Sequence, residues 1–393
     1  MLKPLPPEAR LRFQWVRADP VQKILGALTV KDPNAVRFVG GCVRDSLLGQ
    51  APKDVDVATT LTPPQVMAAL HGAGLNAAPT GLDHGTVTAI ADHFPIEVTT
   101  LRADVSTDGR RATVAFTTDW TIDAQRRDFT LNALYLTPDF RLFDPVAGEK
   151  DLAAGRVRFI GIAEDRIHED YLRILRFFRF SARFATDFDP QGLSACAVLK
   201  DGVGKLSAER VGDEFSKILA LRAAARAVSA MAATGVLSEI WRAPASLSGL
   251  ERLKQASVDA PAPLGLAALW GDRGEGVDTR LRLSNADAQR RRRAVERAPL
   301  IGASLNDQAI RALVYRFGAA GFLDALLLAQ ARSSEDLSGI RTIAAAFAPP
   351  SPPFSGHDAL AAGVPEGPAV ATVLAAAEAR WIAEDFPPPS RGK

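Results

Sequence analysis

The sequence predicts an α+β protein: an N-terminal α/β unit with a small mixed sheet, then an all-helical remainder. Three observations predict it. Short strand-like runs bounded by Gly, Pro and Asp are confined to the first 150 or so residues. Beyond that point strand signals fade, and Ala, Leu and Arg dominate at helical spacing. Near the start, the pair Gly40-Gly41 sits where a strand gives way to a helix, a turn that needs residues without Cβ.

In order along the chain, residues 35–39 form a short strand that runs into the glycine turn. A brief helix over 42–48 stops at Gly49. Strands are expected at 55–58, 85–91, 96–101 and 113–117. A helix over 65–70 starts from Thr62-Pro-Pro. Residues 102–111 are polar, carry Gly109 and predict a mobile loop. Helices are expected at 168–184, 208–221, 223–233, 287–298 and 307–317, and a last one at 369–384 after the proline-rich break at 349–353. No internal repeat of fixed period is present. The division is into 1–150, 151–220, 221–300 and 301–393.

Bulk properties exclude several classes. A chain of 393 residues exceeds one ordinary domain, and 47% hydrophobic with 23% charged residues is a globular composition. Net charge is only +2, so nucleic-acid binding has to rest on local basic patches. Cys42 and Cys196 belong to no CxxC pair, which points away from a zinc site or a disulfide framework and fits a reducing cytosol. No apolar run approaches the ~18 residues of a membrane span, and the early prolines do not suit a secretory signal. A cytoplasmic protein is the expectation.

Four blocks carry chemistry. Gly40-Gly41 lets backbone N–H groups approach a triphosphate, with Arg44 one turn into the helix. Asp54 and Asp56, at i and i+2 about a dozen residues on, leave the same face of an extended strand, roughly 7 Å apart at the backbone. Aspartate disfavours strands, so two of them around Val55 imply a compensating use. Two carboxylates beside a phosphate cradle suit two Mg²⁺ ions, with Glu97 as a third carboxylate from a neighbouring strand. In Arg126-Arg-Asp-Phe-Thr-Leu-Asn-Ala133, the arginines suit phosphate oxygens, Asp128 a ribose hydroxyl and Asn132 an amide contact.

The fourth block is Glu169-Asp-Tyr-Leu-Arg-Ile-Leu-Arg-Phe-Phe-Arg-Phe180, expected on one helix, where Asp170 and Arg173 share a face that Arg176 and Arg179 extend. An Asp acceptor beside an Arg donor matches an exocyclic amine next to an unprotonated ring nitrogen. Cytosine and adenine present that pair, whereas guanine and uracil present its reverse. In the helical part, Arg280, Arg282, Arg290, Arg291, Arg292, Arg293 and Arg297 form the densest basic run and are the candidates for RNA phosphates.

In this order the blocks Gly40-Gly-Cys-Val-Arg-Asp45, Asp54-Val-Asp56, 126–133 and Glu169-Asp-Tyr-Leu-Arg173 resemble the class II tRNA nucleotidyltransferase and poly(A) polymerase family. Leu206-Ser-Ala-Glu-Arg-Val-Gly-Asp-Glu214 is similar to its helix-linking neck element. The resemblance implies a nucleotidyltransferase-type head followed by an all-helical neck, body and tail, dependence on Mg²⁺, CTP and ATP as donors, and a tRNA 3′ end as acceptor, with no protein partner. By position, Asp54 and Asp56 would hold metal. Gly40, Gly41, Arg44, Arg127, Asp128 and Asn132 would contact the nucleotide, Asp170 and Arg173 would face the base, and Arg176 and Arg179 would complete the pocket. Residues 102–111 correspond to a loop that helps the switch from C to A addition. Poly(A)-making members carry a Gly-Arg-Arg-Phe-like string, which is not found at 81–88, so the resemblance favours CCA addition.

Overall fold

The computed structural model describes residues 2–107 and 112–388. They divide into two compact units, Met1–Glu214 with Ala230–Ile240, and Phe215–Ser229 with Trp241–Lys393.

The first unit is built on an eight-stranded sheet. Its strands are β1 (Leu2–Pro4), β2 (Val36–Val39), β3 (Asp56–Thr59), β4 (Asn76–Gly81), β5 (Thr86–Ala91) and β6 (Phe94–Thr100), with β9 (Tyr135–Leu136) and β10 (Arg141–Phe143). The order across it is β1-β10-β9-β2-β3-β6-β5-β4, and only β3 and β6 run parallel. β7 (Arg102–Thr107) and β8 (Ala112–Phe116) form a separate antiparallel hairpin. Every residue of β2 is buried, as expected of a central strand flanked on both edges. One apolar cluster, Val39, Ala58, Leu101, Ala124, Ala133, Tyr135 and Ile160, fastens the helix Trp120–Gln125 to the sheet.

Three expectations need correction. The polar segment 102–111 is not a loop throughout: residues 102–107 pair with β8, because backbone ladder bonds do not require apolar side chains and the register shift after Asp104 absorbs the mismatch. The rest of it, 108–111, lies outside the described residues. The helix expected over 168–184 is two helices, Ala163–Glu169 and Leu172–Phe184, because Asp170 is extended (φ −158°, ψ 107°). Asp54 lies in a bend ahead of β3, just after Pro52, so only Asp56 of the pair belongs to the strand. The short strands β1, β4, β9 and β10 also go beyond the sequence expectation, being too brief or too polar to stand out.

The helix Leu172–Phe184 sorts its residues by period. Ile174, Leu175, Phe177 and Phe178 are buried, while Arg173, Arg176, Arg179 and Arg183 recur at three and four residues along the other side.

The second unit is helical. Ala262–Trp270 is buried from Pro263 onward and packs with Leu247–Ala256, Asn285–Arg297 and Ala319–Arg332. Ser246, Ser284 and Asn306 cap three of its helices through side-chain oxygens that accept from N3 backbone N–H groups. Tyr315, Trp381 and Phe386 form an aromatic cluster at its C-terminal end. Among the described residues no single helix is long and apolar enough to cross a membrane.

Candidate active site

The register of the sheet sets two carboxylates side by side. Asp56 on β3 pairs with Glu97 on β6 in parallel register, and Thr88 on β5 continues the row. Burial raises the Asp56 carboxyl to about 6, with Glu97 and Asp54 adding to the shift and Arg127 opposing it. Asp54 is thus close enough to be felt, despite its place in the bend. These are hard oxygen donors, and a divalent cation would relieve the repulsion among them. Among the described residues no three His, Cys, Asp or Glu side chains converge as a ready cation cage. Glu97 therefore neighbours Asp56 without completing a three-carboxylate set. An incomplete donor set is what Mg²⁺ uses when substrate phosphates supply the remaining oxygens. The residues fit a divalent ion on those terms.

Gly40 makes the turn beside them. Its φ of +73° is the left-handed region, and a Cβ there would stand 3.6 Å from the Asn132 carbonyl and 3.8 Å from Arg127 Nη1. Gly41 opens the short helix Gly41–Leu47, whose Cys42 thiol is buried and pushed up to about 12 by desolvation, so it is inert.

Arg127 is fixed by two partners. It donates to Asp123 (3.1 and 3.3 Å) and to the Tyr135 hydroxyl (3.1 Å), while Tyr135 donates to Asp123 at 2.7 Å. Asp123 also accepts from Arg126 at 2.6 and 2.9 Å. Burial raises the Asp123 carboxyl, but Arg127 and Arg126 outweigh it and hold the group at about 2. Asp123 is a site residue that the motif reading missed. Its one sequence signal is its spacing, three and four residues before Arg126 and Arg127.

Arg44, Asp128 and Asn132 prove to be linked internally. Arg44 donates to Asp45 (2.7 Å) and to Asn132 Oδ1 (2.6 Å). Asn132 Nδ2 donates to Asp128 (3.0 Å), and Asp128 accepts from Arg176 at 2.6 and 2.8 Å. Arg183 returns to Asp45 at 3.2 Å, closing a ring between the Gly41–Leu47 helix and the Leu172–Phe184 helix. Phe180 lies inside it, under the guanidinium groups of Arg44, Arg176 and Arg179. Asp128 also accepts from its neighbour Phe129 N, so both of its oxygens are occupied and it holds Arg176 and Asn132 in place. That geometry differs from a ribose acceptor facing solvent.

Asp170 and Arg173 do not lie on one helical face, since Asp170 ends one helix before the next begins. Asp170 accepts from Leu172 N (3.1 Å) and from Arg210 (2.7 Å). Arg173 is held by Glu169, by the Arg166 carbonyl (2.9 Å) and by the Arg126 carbonyl (3.0 Å). Arg179 pairs with the buried Glu214. Arg210 and Glu214 thereby join the site from the segment after Leu206.

In the second unit the basic run is largely committed. Arg290 forms a two-pronged pair with Asp324 (2.7 and 2.8 Å), and Arg291 and Arg292 share Asp278. Arg282 takes a positive φ of 51°. Among the described residues Arg280 and the exposed Arg293 have no carboxylate partner.

Residues 36–158 match the family described as the poly A polymerase head domain, and residues 187–245 match a probable RNA and SrmB-binding site of polymerase A. The human mitochondrial CCA tRNA nucleotidyltransferase 1 is 48% identical over 201 residues, covering 50% of this chain and 46% of that protein. Its zebrafish (Danio rerio) counterpart is 40% identical over 274 residues, covering 67% and 63%. The chain thus spans roughly half to two thirds of the length of these relatives. The Bacillus stearothermophilus CCA-adding enzyme, solved in complex with CTP, superposes with a TM-score of 0.74 at 25% identity, covering 94% of each chain.

Proposed function

From a chain that belongs to the class II family of tRNA nucleotidyltransferases and poly(A) polymerases, we propose template-independent addition of CCA to the 3′ end of tRNA from CTP and ATP. Members of this family use divalent metal ions, and here they are two Mg²⁺ ions, in keeping with an all-oxygen donor set. Asp54 and Asp56 would hold them; when bound, they neutralise triphosphate charge and acidify the attacking hydroxyl. The 3′-hydroxyl of the tRNA attacks the α-phosphate, the bond to the β-phosphate breaks, and pyrophosphate leaves.

The chain's own residues prepare that step. Gly41 presents its backbone N–H to the triphosphate, while Gly40, whose own N–H donates to the Leu134 carbonyl (3.1 Å), makes the turn that allows the approach. Arg127, locked by Asp123 and Tyr135, offers a fixed positive charge. Asp170 and Arg173 meet the base edge, each already oriented by a neighbour. Arg44, Asp128 and Asn132 serve the pocket by positioning Arg176. Residues 1–150 act as head, 151–220 as neck, 221–300 as body and 301–393 as tail, with tRNA held by the helical part. The compartment is the cytoplasm, where Cys42 and Cys196 stay reduced; the human and zebrafish relatives are named as mitochondrial.

The observation that carries this reading is the pairing of Asp56 with Glu97, with Arg127 close to the Gly40 turn and near enough to Asp56 to lower its carboxyl. The test is incubation with tRNA lacking its last three nucleotides, CTP, ATP and Mg²⁺, followed by sequencing of the products. CCA ends are expected. Long A tails transfer the protein to the poly(A) branch of the family, and an unextended tRNA overturns the reading altogether.

A further inference from the structure

The densest basic run of the second unit is mostly neutralised by its own aspartates, so cations for an RNA backbone have to be sought elsewhere on that unit. A cleft of about 320 Å³ opens where the buried helix Ala262–Trp270 ends. Arg252, Arg273 and Arg332 line it together with Asp272. Arg252 Nε donates to the Ala331 carbonyl (3.0 Å), meeting the exposed carbonyls at the end of the Ala319–Arg332 helix, and among the described residues it has no carboxylate partner. Arg273 and Arg332 are exposed, and among the described residues neither has a carboxylate partner, Asp272 included. Gly271 makes room for this. At φ +50° it turns the chain out of the helix, and a Cβ there would lie 3.0 Å from Arg332 Nη2.

Compensation of helix ends accounts for Arg252 and for the place of Arg332 in the last turn of its own helix, but among the described residues it occupies no guanidinium N–H of Arg332 or Arg273. Arg273 sits in the short 3-10 turn Gly271–Gly274 that directly follows the helix Ala262–Trp270. Two guanidinium groups over a concave, polar surface match the forked geometry of a phosphodiester. We propose that this cleft binds a backbone phosphate of the RNA acceptor, a site that rests on the reading of the protein as a tRNA-modifying enzyme. Arg332 and Arg273 supply the contacts, and Gly271 keeps the floor open.

The test is binding of the full chain to tRNA lacking its last three nucleotides, measured across a salt series. The double variant Arg273→Gln/Arg332→Gln is expected to weaken binding about tenfold. It should also flatten the slope of log K against log salt by about one unit, since one phosphate fewer is neutralised and fewer counterions are released on binding. KM for CTP should stay unchanged, and Arg332→Lys should keep most of the slope. Unchanged affinity and slope in the folded double variant overturn the cleft while leaving nucleotidyl transfer standing. A rise in KM for CTP in place of weaker RNA binding overturns it too, by assigning the phosphate to the nucleotide. If the double variant does not fold, Arg273→Gln alone decides, with about half the slope loss expected. An unmodified chain that does not bind tRNA overturns this site and the proposed function together.

Discussion

At Asp56 the proposed function and stability pull in opposite directions. The folded carboxyl titrates at about 6, because it is buried beside Glu97 and Asp54, against an ordinary value of 3.8. Between those two values the folded state holds the proton more tightly than the unfolded chain. Ionised Asp56 therefore costs the metal-free protein about 2–3 kcal/mol at neutral pH, and that stability returns as pH falls from about 6 toward 4. Asp56→Asn should melt several degrees higher than the unmodified protein at pH 7 without added metal, and the gap should close by pH 4. The same variant should lose turnover. Thermal melts of both proteins across pH check this, and a variant that melts lower at pH 7 refutes the assignment of cost. This residue was legible in the sequence because an acid pair around Val55 defies strand propensity. Asp123 was not, because a single acid in a short helix looks like surface. Only the fold shows it buried under Arg126, Arg127 and Tyr135.

Elements whose signals are periodic were legible, and those set by one backbone angle or by pairing alone were not. The core strand β2 and the helices at 223–233, 287–298, 307–317 and 369–384 follow from apolar spacing. Leu247–Ala256, Ala262–Trp270 and Ala319–Arg332 lie outside the sequence expectation, the second of them because it is buried on nearly every side and shows no period. The break at Asp170 does not, since nothing in Glu169-Asp-Tyr-Leu forbids a helix; it follows from how Tyr171 is seated. Gly202, in the turn after the helix Pro190–Val198, lies against that ring, and a Cβ there would fall 1.9 Å from Tyr171 Cδ1. Gly202→Ala should force the ring away and, with it, the start of the Leu172–Phe184 helix. The expected cost is about 1–3 kcal/mol from overpacking. Because Asp170 precedes Tyr171 directly, the discrimination of CTP and ATP over GTP and UTP should fall with it, while tRNA binding is kept. Incorporation of each nucleotide measured beside a melt distinguishes this from general destabilisation. Full selectivity in a less stable variant shows that the seat of Tyr171 is structural only.

For the whole molecule, the near-zero net charge conceals a division of labour. Carboxylate–arginine pairs knit the candidate site of the first unit, whereas in the second, beside the paired Arg290, Arg291 and Arg292, the arginines Arg273, Arg332, Arg280 and Arg293 have no carboxylate partner among the described residues. On the proposed roles, nucleotide chemistry and RNA binding belong to separate compact units and should be separable in kinetics. Removing divalent metal with a chelator should abolish nucleotide incorporation and leave tRNA affinity within about twofold, because the metal would be held by Asp54 and Asp56 and the RNA by arginine forks that need no cation. Raising salt should act the other way. Tenfold more monovalent salt weakens a binding site with two or three phosphate contacts by about two orders of magnitude, and it should raise KM for tRNA while kcat at saturating tRNA changes little. Initial rates over a matrix of tRNA and salt concentrations, with binding measured in chelator, test both halves. A chelated protein that no longer binds tRNA, or a salt effect confined to kcat, means that the metal and RNA sites are not independent. The division into a catalytic unit and a gripping unit then fails.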